Sequence, residues 1–166
     1  TGIWCVCTQR MDGQLMPRII LIQMVTIMLA TLPTSGFASS PLAAQKLSQA
    51  QSTCTTSGGK FDAGQAVQHM DVNGDGQDDL IVDADQFSCS TAPNMFRGTG
   101  GSELTIKVGD VVIEELAQRW EIIDLFHHKL LLLGRHGGFC KQPGFVACFE
   151  ALVFHEGAWQ TVGPRD

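Results

Sequence analysis

From Phe61 onward the chain alternates short apolar runs with glycine-bearing turns, a rhythm that predicts strands rather than helices. The expected strands cover residues 66–70, 80–84, 104–108, 111–114, 119–124, 129–134, 147–155 and 159–162. Gly109-Asp110 and Glu156-Gly157 fall between apolar runs and read as hairpin turns. One stretch competes for a helix: residues 111–133 lack glycine and proline and carry the helix formers Glu114-Glu115-Leu116-Ala117. Within it Leu130-Leu131-Leu132-Leu133 is an unbroken apolar run that suits a buried strand or a buried helix equally. Residues 39–51 are rich in Ser, Ala and Gln, without a turn signal after Pro41, and are expected to form a loose arm or a short helix. The fold class that follows is mainly β: a small single-domain antiparallel fold spanning residues 54–166, preceded by a flexible arm at 39–53.

The beginning of the chain has a different pattern. Met16-Pro17-Arg18 precedes an apolar run over residues 19–32, and then comes Pro33-Thr34-Ser35-Gly36-Phe37-Ala38. A positive charge, a short apolar stretch and small residues at Gly36 and Ala38 are the three parts of a secretory signal, here residues 16–38, with cleavage after Ala38 and a second candidate site after Ala44. Fourteen helical residues rise only about 21 Å, short of the roughly 30 Å hydrocarbon core, so a membrane anchor is not expected and no stable span remains after cleavage. Residues 1–15 precede the candidate initiator Met16 and are expected to lie outside the native product. Their Cys5 and Cys7 form a Cys-X-Cys pair without partners, weak as a metal or redox motif.

Composition sharpens this picture. The whole chain carries 17 acids and 11 bases for a net charge of −6. Removing residues 1–38 takes away Asp12, Arg10 and Arg18, leaving 16 acids against 9 bases and a net charge near −7. Nucleic acid and anionic membranes call for a basic surface, so neither is an expected partner. Six of those acids lie between Asp71 and Asp85.

That acidic stretch contains the most specific chemistry in the chain. Asp71-Val72-Asn73-Gly74-Asp75-Gly76-Gln77-Asp78-Asp79 sets oxygen side chains at positions 1, 3, 5 and 9 of a DxNxDGxxD loop, with glycine at position 6. Alternate residues of a tightly wound loop point inward, so Asp71, Asn73 and Asp75 can converge on Ca²⁺, with the Gln77 carbonyl and Asp79 completing the arc. An EF-hand needs a bidentate Glu at position 12, where this chain has Val82, so a strand is expected to leave the loop. The same residues also build tight turns that bind nothing.

Four cysteines follow residue 38: Cys54, Cys89, Cys140 and Cys148. An even number in an exported chain argues for disulfides, for which three pairings are possible. Pro143-Gly144 favours a turn that would bring Cys140 to Cys148, leaving Cys54 for Cys89. A zinc site is the competitor, and the spacing shows no C-x-x-C in its favour.

Other candidates are weaker. Phe96-Arg97-Gly98-Thr99-Gly100-Gly101-Ser102 fits neither a P-loop nor a dinucleotide fingerprint and is expected to be a flexible connection. His127 and His128 would point to opposite faces of a strand, and His155 sits beside a turn. His136, in Arg135-His136-Gly137-Gly138-Phe139-Cys140, belongs to a defined loop and is the one candidate for a hydrolase, although no orienting acid or nucleophile is identifiable.

The order Asp-Val-Asn-Gly-Asp-Gly-Gln-Asp-Asp-Leu-Ile-Val resembles the calcium loop of FG-GAP and VCBS-type repeats. That resemblance implies ligands at Asp71, Asn73, Asp75, Gln77 (carbonyl) and Asp79. A propeller needs the motif several times, and here it occurs once, so a full propeller is not expected. Residues 54–163 also resemble a group of small periplasmic proteins of Gram-negative bacteria. The shared features are the single loop, Cys89, the 96–102 stretch, Trp120, the His136 to Cys140 segment and a terminal hairpin with Trp159. The chain departs at Arg97 and Ser102, where the pattern carries cysteines. The resemblance implies a periplasmic or secreted location and the general architecture, without an activity. The functional expectation is an exported calcium-binding module for an unidentified protein or envelope component, with a small hydrolase using His136 as the alternative.

Overall fold

Pro41 opens α1 (Pro41–Thr56) at a position where its missing N–H has no intrahelical partner to lose. Ser57-Gly58-Gly59 closes it. Gly58 takes φ 71°, and the N–H groups of Gly58 and Gly59 bond back to the carbonyls of Thr55 (2.9 Å) and Cys54 (3.0 Å), the paired closure of a Schellman turn. Of the two readings for this stretch, a loose arm or a short helix, the structure shows the helix, 16 residues long. Its buried seam is Ala43, Ala50 and Cys54, with Leu47 partly buried between them. These positions recur at steps of three and four, so the stripe is helical, but small residues make it faint.

The computed structural model describes residues 40–162. The expected signal at 16–38, the upstream residues with Cys5 and Cys7, and the expected cleavage site after Ala38 lie outside the described residues. Among the described residues, no helix is long and apolar enough to cross a membrane.

The fold is mainly β, as expected, in antiparallel sheets without a propeller or closed barrel among the described residues. In chain order the strands are β1 (Phe61–Asp62), β2 (Val67–Met70), β3 (Asp79–Asp83), β4 (Ser88–Cys89), β5 (Arg97–Gly98), β6 (Gly101–Val108), β7 (Val111–Ala117), β8 (Arg119–Leu125), β9 (His128–Arg135), β10 (Cys148–His155) and β11 (Ala158–Thr161). A five-stranded sheet runs β2-β3-β6-β5, with β7 also paired to β6, and a four-stranded sheet runs β11-β10-β9-β8. β1 and β4 form a small separate pair.

Residues 111–133 are strands throughout, which settles the competition with a helix. Two turns divide them. Gln118 alone carries the chain from β7 in one sheet to β8 in the other, its N–H donating to Gly134 O at 2.8 Å. Phe126-His127 turns β8 into β9 with φ of 49° and 69°, a two-residue turn of the kind asparagine and glycine usually supply. The 96–102 stretch is likewise a hairpin rather than a flexible connection: Arg97 stands opposite Ser102, and Gly98 opposite Gly101.

Strand alternation assigns the layers. Ile81, Leu104 and Ile106 of the five-stranded sheet meet Leu131, Leu133 and Leu152 of the four-stranded sheet in one core. Leu80 and Val82 face the other way, against Ala43 and Ala50 of α1. β3 is therefore buried on both faces, and each fully buried aliphatic side chain there contributes roughly 1.5–3 kcal/mol. Phe61, Phe87 and Phe96 complete the helix-side core as mutually edge-on rings 5.3 to 5.9 Å apart.

Two disulfides staple these layers. Cys54–Cys89 joins α1 to β4 with Cα atoms 5.6 Å apart, and Cys140–Cys148 closes the loop before β10 at 6.1 Å. Both pairings are the expected ones, and they are compatible with an oxidising, exported location. Lys46 adds an ionic tie from α1, donating to Glu103 at 2.7 Å and Glu114 at 2.6 Å. Burial opposes its charge, but the two carboxylates outweigh this and hold its pKa above the ordinary value.

Candidate metal centre

The 71–79 loop leaves β2 at Met70 and enters β3 at Asp79. Val72, its second residue, is fully buried in the inter-sheet core and pins the loop to the body of the fold. Gly74 and Gly76 take φ of 87° and 81°, left-handed conformations that side chains with a Cβ rarely adopt, so the backbone winds tightly around Asp71. The Asp71 carboxylate accepts three N–H groups: those of Asn73 (3.2 Å) and Gly74 (2.6 Å) on Oδ1, and that of Gly76 (3.1 Å) on Oδ2. Asn73 Oδ1 accepts from Asp75 N at 2.9 Å, and Asp75 Oδ1 accepts from Gln77 N at 2.7 Å.

The loop is therefore a chain of side-chain-to-backbone closures, each acid or amide bonding an N–H two to five residues further on. Asn73 Nδ2 also donates to Asp75 Oδ2 at 3.0 Å. Asp79 closes the circuit from β3, its Oδ2 accepting from Val72 N at 3.1 Å.

Electrostatics separates the two ends. Burial works against the Asp71 anion, but the N–H groups of Gly74, Gly76 and Asn73, helped by the charge of Lys129, hold its pKa below the ordinary 3.8. Asp79 is only 7 % exposed, and burial pushes its pKa up. The Val72 N–H opposes that shift, while the charges of Asp75, Asp71 and Asp78 add to it. Lys129 of β9 reaches this loop from the other sheet and also stands 3.5 Å from Asp124.

All five expected ligand residues thus lie on one loop, with Asp71, Asn73 and Asp75 linked by hydrogen bonds. Among the described residues, no three His, Cys, Asp or Glu side chains already converge at metal-ligand distance. The donors are all oxygen, the set a hard cation prefers.

His136 has a structural task. Its Nδ1 accepts the Gly138 N–H at 3.2 Å, capping the short 3₁₀ turn Gly137–Cys140. Among the described residues, no hydrogen bond or ion pair joins it to a carboxylate. His127 lies in the β8–β9 turn, His128 opens β9 and His155 ends β10.

Three polar clusters escaped the sequence reading. Arg135, 5 % exposed, donates to Glu150 (3.0 and 2.7 Å), Glu115 (2.8 Å) and Leu116 O (2.7 Å), tying the two sheets together with every bond charge-assisted. Trp120 Nε1 donates to the buried Asp83 at 3.0 Å. Arg97 pairs with Asp85 and donates to Gln118 O at 3.2 Å. An ionic tie thus stands at the β5–β6 pair where the resemblance places cysteines. A basic residue inside an apolar strand was the available signal for Arg135, but the partners lie 15 to 20 residues away in sequence.

Comparison of the chain with protein-family models, with curated proteins and with solved structures finds no match.

Proposed function

We propose that the protein is an exported calcium-binding module, periplasmic or secreted, in which Ca²⁺ on the 71–79 loop rigidifies the β2–β3 connection of a domain that binds a protein or envelope component. The ligands are the side chains of Asp71, Asn73, Asp75 and Asp79 and the carbonyl of Gln77. The observation that carries the reading is Asp79. A buried carboxylate whose ionisation is opposed by burial and by three neighbouring acids is a group that a divalent cation would relieve. The Asn73 amide donates to Asp75 Oδ2, and that bond is released when Asp75 offers this oxygen to a cation. The order of the donors and its likeness to the FG-GAP and VCBS-type loop support the choice of calcium. Two disulfides support export.

The test is calorimetric titration of the oxidised protein with Ca²⁺, with melting temperatures measured in Ca²⁺, Mg²⁺ and chelator. One saturable site and a rise in melting temperature specific to Ca²⁺ are expected. No heat and no shift would reduce the loop to an acidic turn.

A further inference from the structure

The outer face of the four-stranded sheet is apolar where a solvent-facing sheet is normally polar. Leu131 and Leu133 point into the core, so by alternation Leu130 and Leu132 point outward. The pairing register sets Leu130 between Ile123 and Val153, and Leu132 opposite Ala151. At one end of this face lies a cavity of about 340 Å³, within the size range of small-molecule sites. Leu130 and Val153 line it, and Phe126, 85 % exposed in its strained turn, stands at its edge.

The polar groups at this cavity are His128, His155 and Gln160. The β9–β10 pairing ends at Leu130–Val153, and His128 and His155, two residues beyond it on each strand, both line the cavity. Gln160 is paired with Val153 on the neighbouring strand. No carboxylate lines the cavity, in a chain with 17 acids. The nearest acid at its rim is Glu156, whose Oε1 is 3.8 Å from His155 Nε2.

Size decides between a macromolecule and a small ligand. Four strands spaced about 4.8 Å apart and up to eight residues long present about 500 Å², part of it polar at Arg119 and Glu121. A standard protein interface buries about 800 Å² per partner.

We propose that this cavity binds a small apolar carboxylate, with its hydrocarbon body over Leu130, Val153 and Phe126 and its anionic end between His128, His155 and Gln160. The site supplies a ligand class to the binding-module reading but lies on a different sheet from the calcium loop, and the two are read by different measurements.

The test titrates the full oxidised chain with octanoate and, separately, with the neutral 1-octanol, following the methyl resonances of Leu130 and Val153. Octanoate is expected to shift both saturably. His128→Gln combined with His155→Gln should weaken octanoate about fivefold to tenfold, the equivalent of one ordinary net hydrogen bond, and leave octanol unchanged. Phe126→Asn, which suits the left-handed turn, should weaken both ligands. Absence of a saturable shift in the unaltered chain would overturn the proposal. So would equal weakening of both ligands by the histidine changes, or sedimentation showing a dimer that buries this face.

Discussion

The 71–79 and 136–148 loops are both short, glycine-bearing connections into a strand, yet they are closed by different forces. In the first, Asp71, Asn73, Asp75 and Asp79 gather backbone N–H groups, and no covalent bond crosses the loop. The second contains no acid. Its closure is the Cys140–Cys148 bond, backed by Gln142 N to Gly137 O at 2.9 Å, Val146 N to Pro143 O at 2.9 Å and the His136 cap. A loop closed by anions answers to cations and protons, whereas a loop closed by sulfur answers to reductant.

The largest effect expected to separate them comes from the covalent closure. Replacing Cys140 and Cys148 together by serine should cost about 2.5 kcal/mol for a loop of this length, measured by denaturant unfolding, and the cost should be the same with and without calcium. A calcium-dependent cost would mean that the two loops are coupled and that the contrast is false.

Next in size is Asp71→Asn. The amide keeps the oxygen that serves Asn73 and Gly74 but presents N–H₂ to Gly76, so about 1 kcal/mol should be lost even in chelator. In addition, the calcium-dependent increment should vanish. That increment is about 1.4 kcal/mol when free calcium is tenfold above Kd. Equal losses in calcium and in chelator would remove the metal from the explanation.

The contrast extends to what the sequence made visible. Turns with glycine at their centre were legible at Gly109 and Gly157, as were both cysteine pairings and the order of donors around Asp71. Phe126-His127 was not, because its positive φ values are imposed by the paired strands on either side rather than by its residues. α1 was legible only as one of two readings, because its seam of alanines carries little hydrophobic signal until a sheet lies beneath it. At the candidate site, the acids and amide that close the loop were legible because they are local. Two controlling neighbours were not: the burial of Asp79 comes from β3 being covered on both faces, and Lys129 arrives from the other sheet.

A smaller effect tests the electrostatic half of the comparison through pH. Asp79 has a raised pKa, so its ionised form is the destabilising one. In metal-stripped protein its contribution should favour folding progressively as pH falls through the folded pKa toward 3.8, and should be constant below that. Asp71 has a lowered pKa. Its contribution is present above 3.8 and is lost as pH falls through its folded value. Melts of the stripped protein should therefore show stability rising and then falling on acidification from these two groups. Asp79→Asn, which keeps an acceptor for the Val72 N–H, should raise the melting temperature of stripped protein at neutral pH and remove its response to calcium. A lower melting temperature in stripped protein would show that the Asp79 anion is stabilising and would sink the argument that a cation relieves it.

The smallest effect belongs to Lys129. Its charge helps to hold Asp71 ionised, and in that sense it prepares the loop for a cation. Once calcium is bound, however, the same charge is a like charge near the metal, with Asp124 at 3.5 Å as its other partner. Repulsion wins in the bound state because the backbone N–H groups of Gly74, Gly76 and Asn73 already hold Asp71 ionised at neutral pH. Lys129→Met keeps an unbranched stem beside the space a Cβ would take at Gly74 and removes the charge. It should raise calcium affinity about twofold to fivefold, as expected for one partly screened surface charge, with the gain shrinking in high salt. The 136–148 loop provides the control: denaturant stability of the Cys140→Ser/Cys148→Ser protein in chelator should not respond to salt through this residue. Unchanged calcium affinity in Lys129→Met at low salt would place the cation away from Asp71, and with it the first position of the loop.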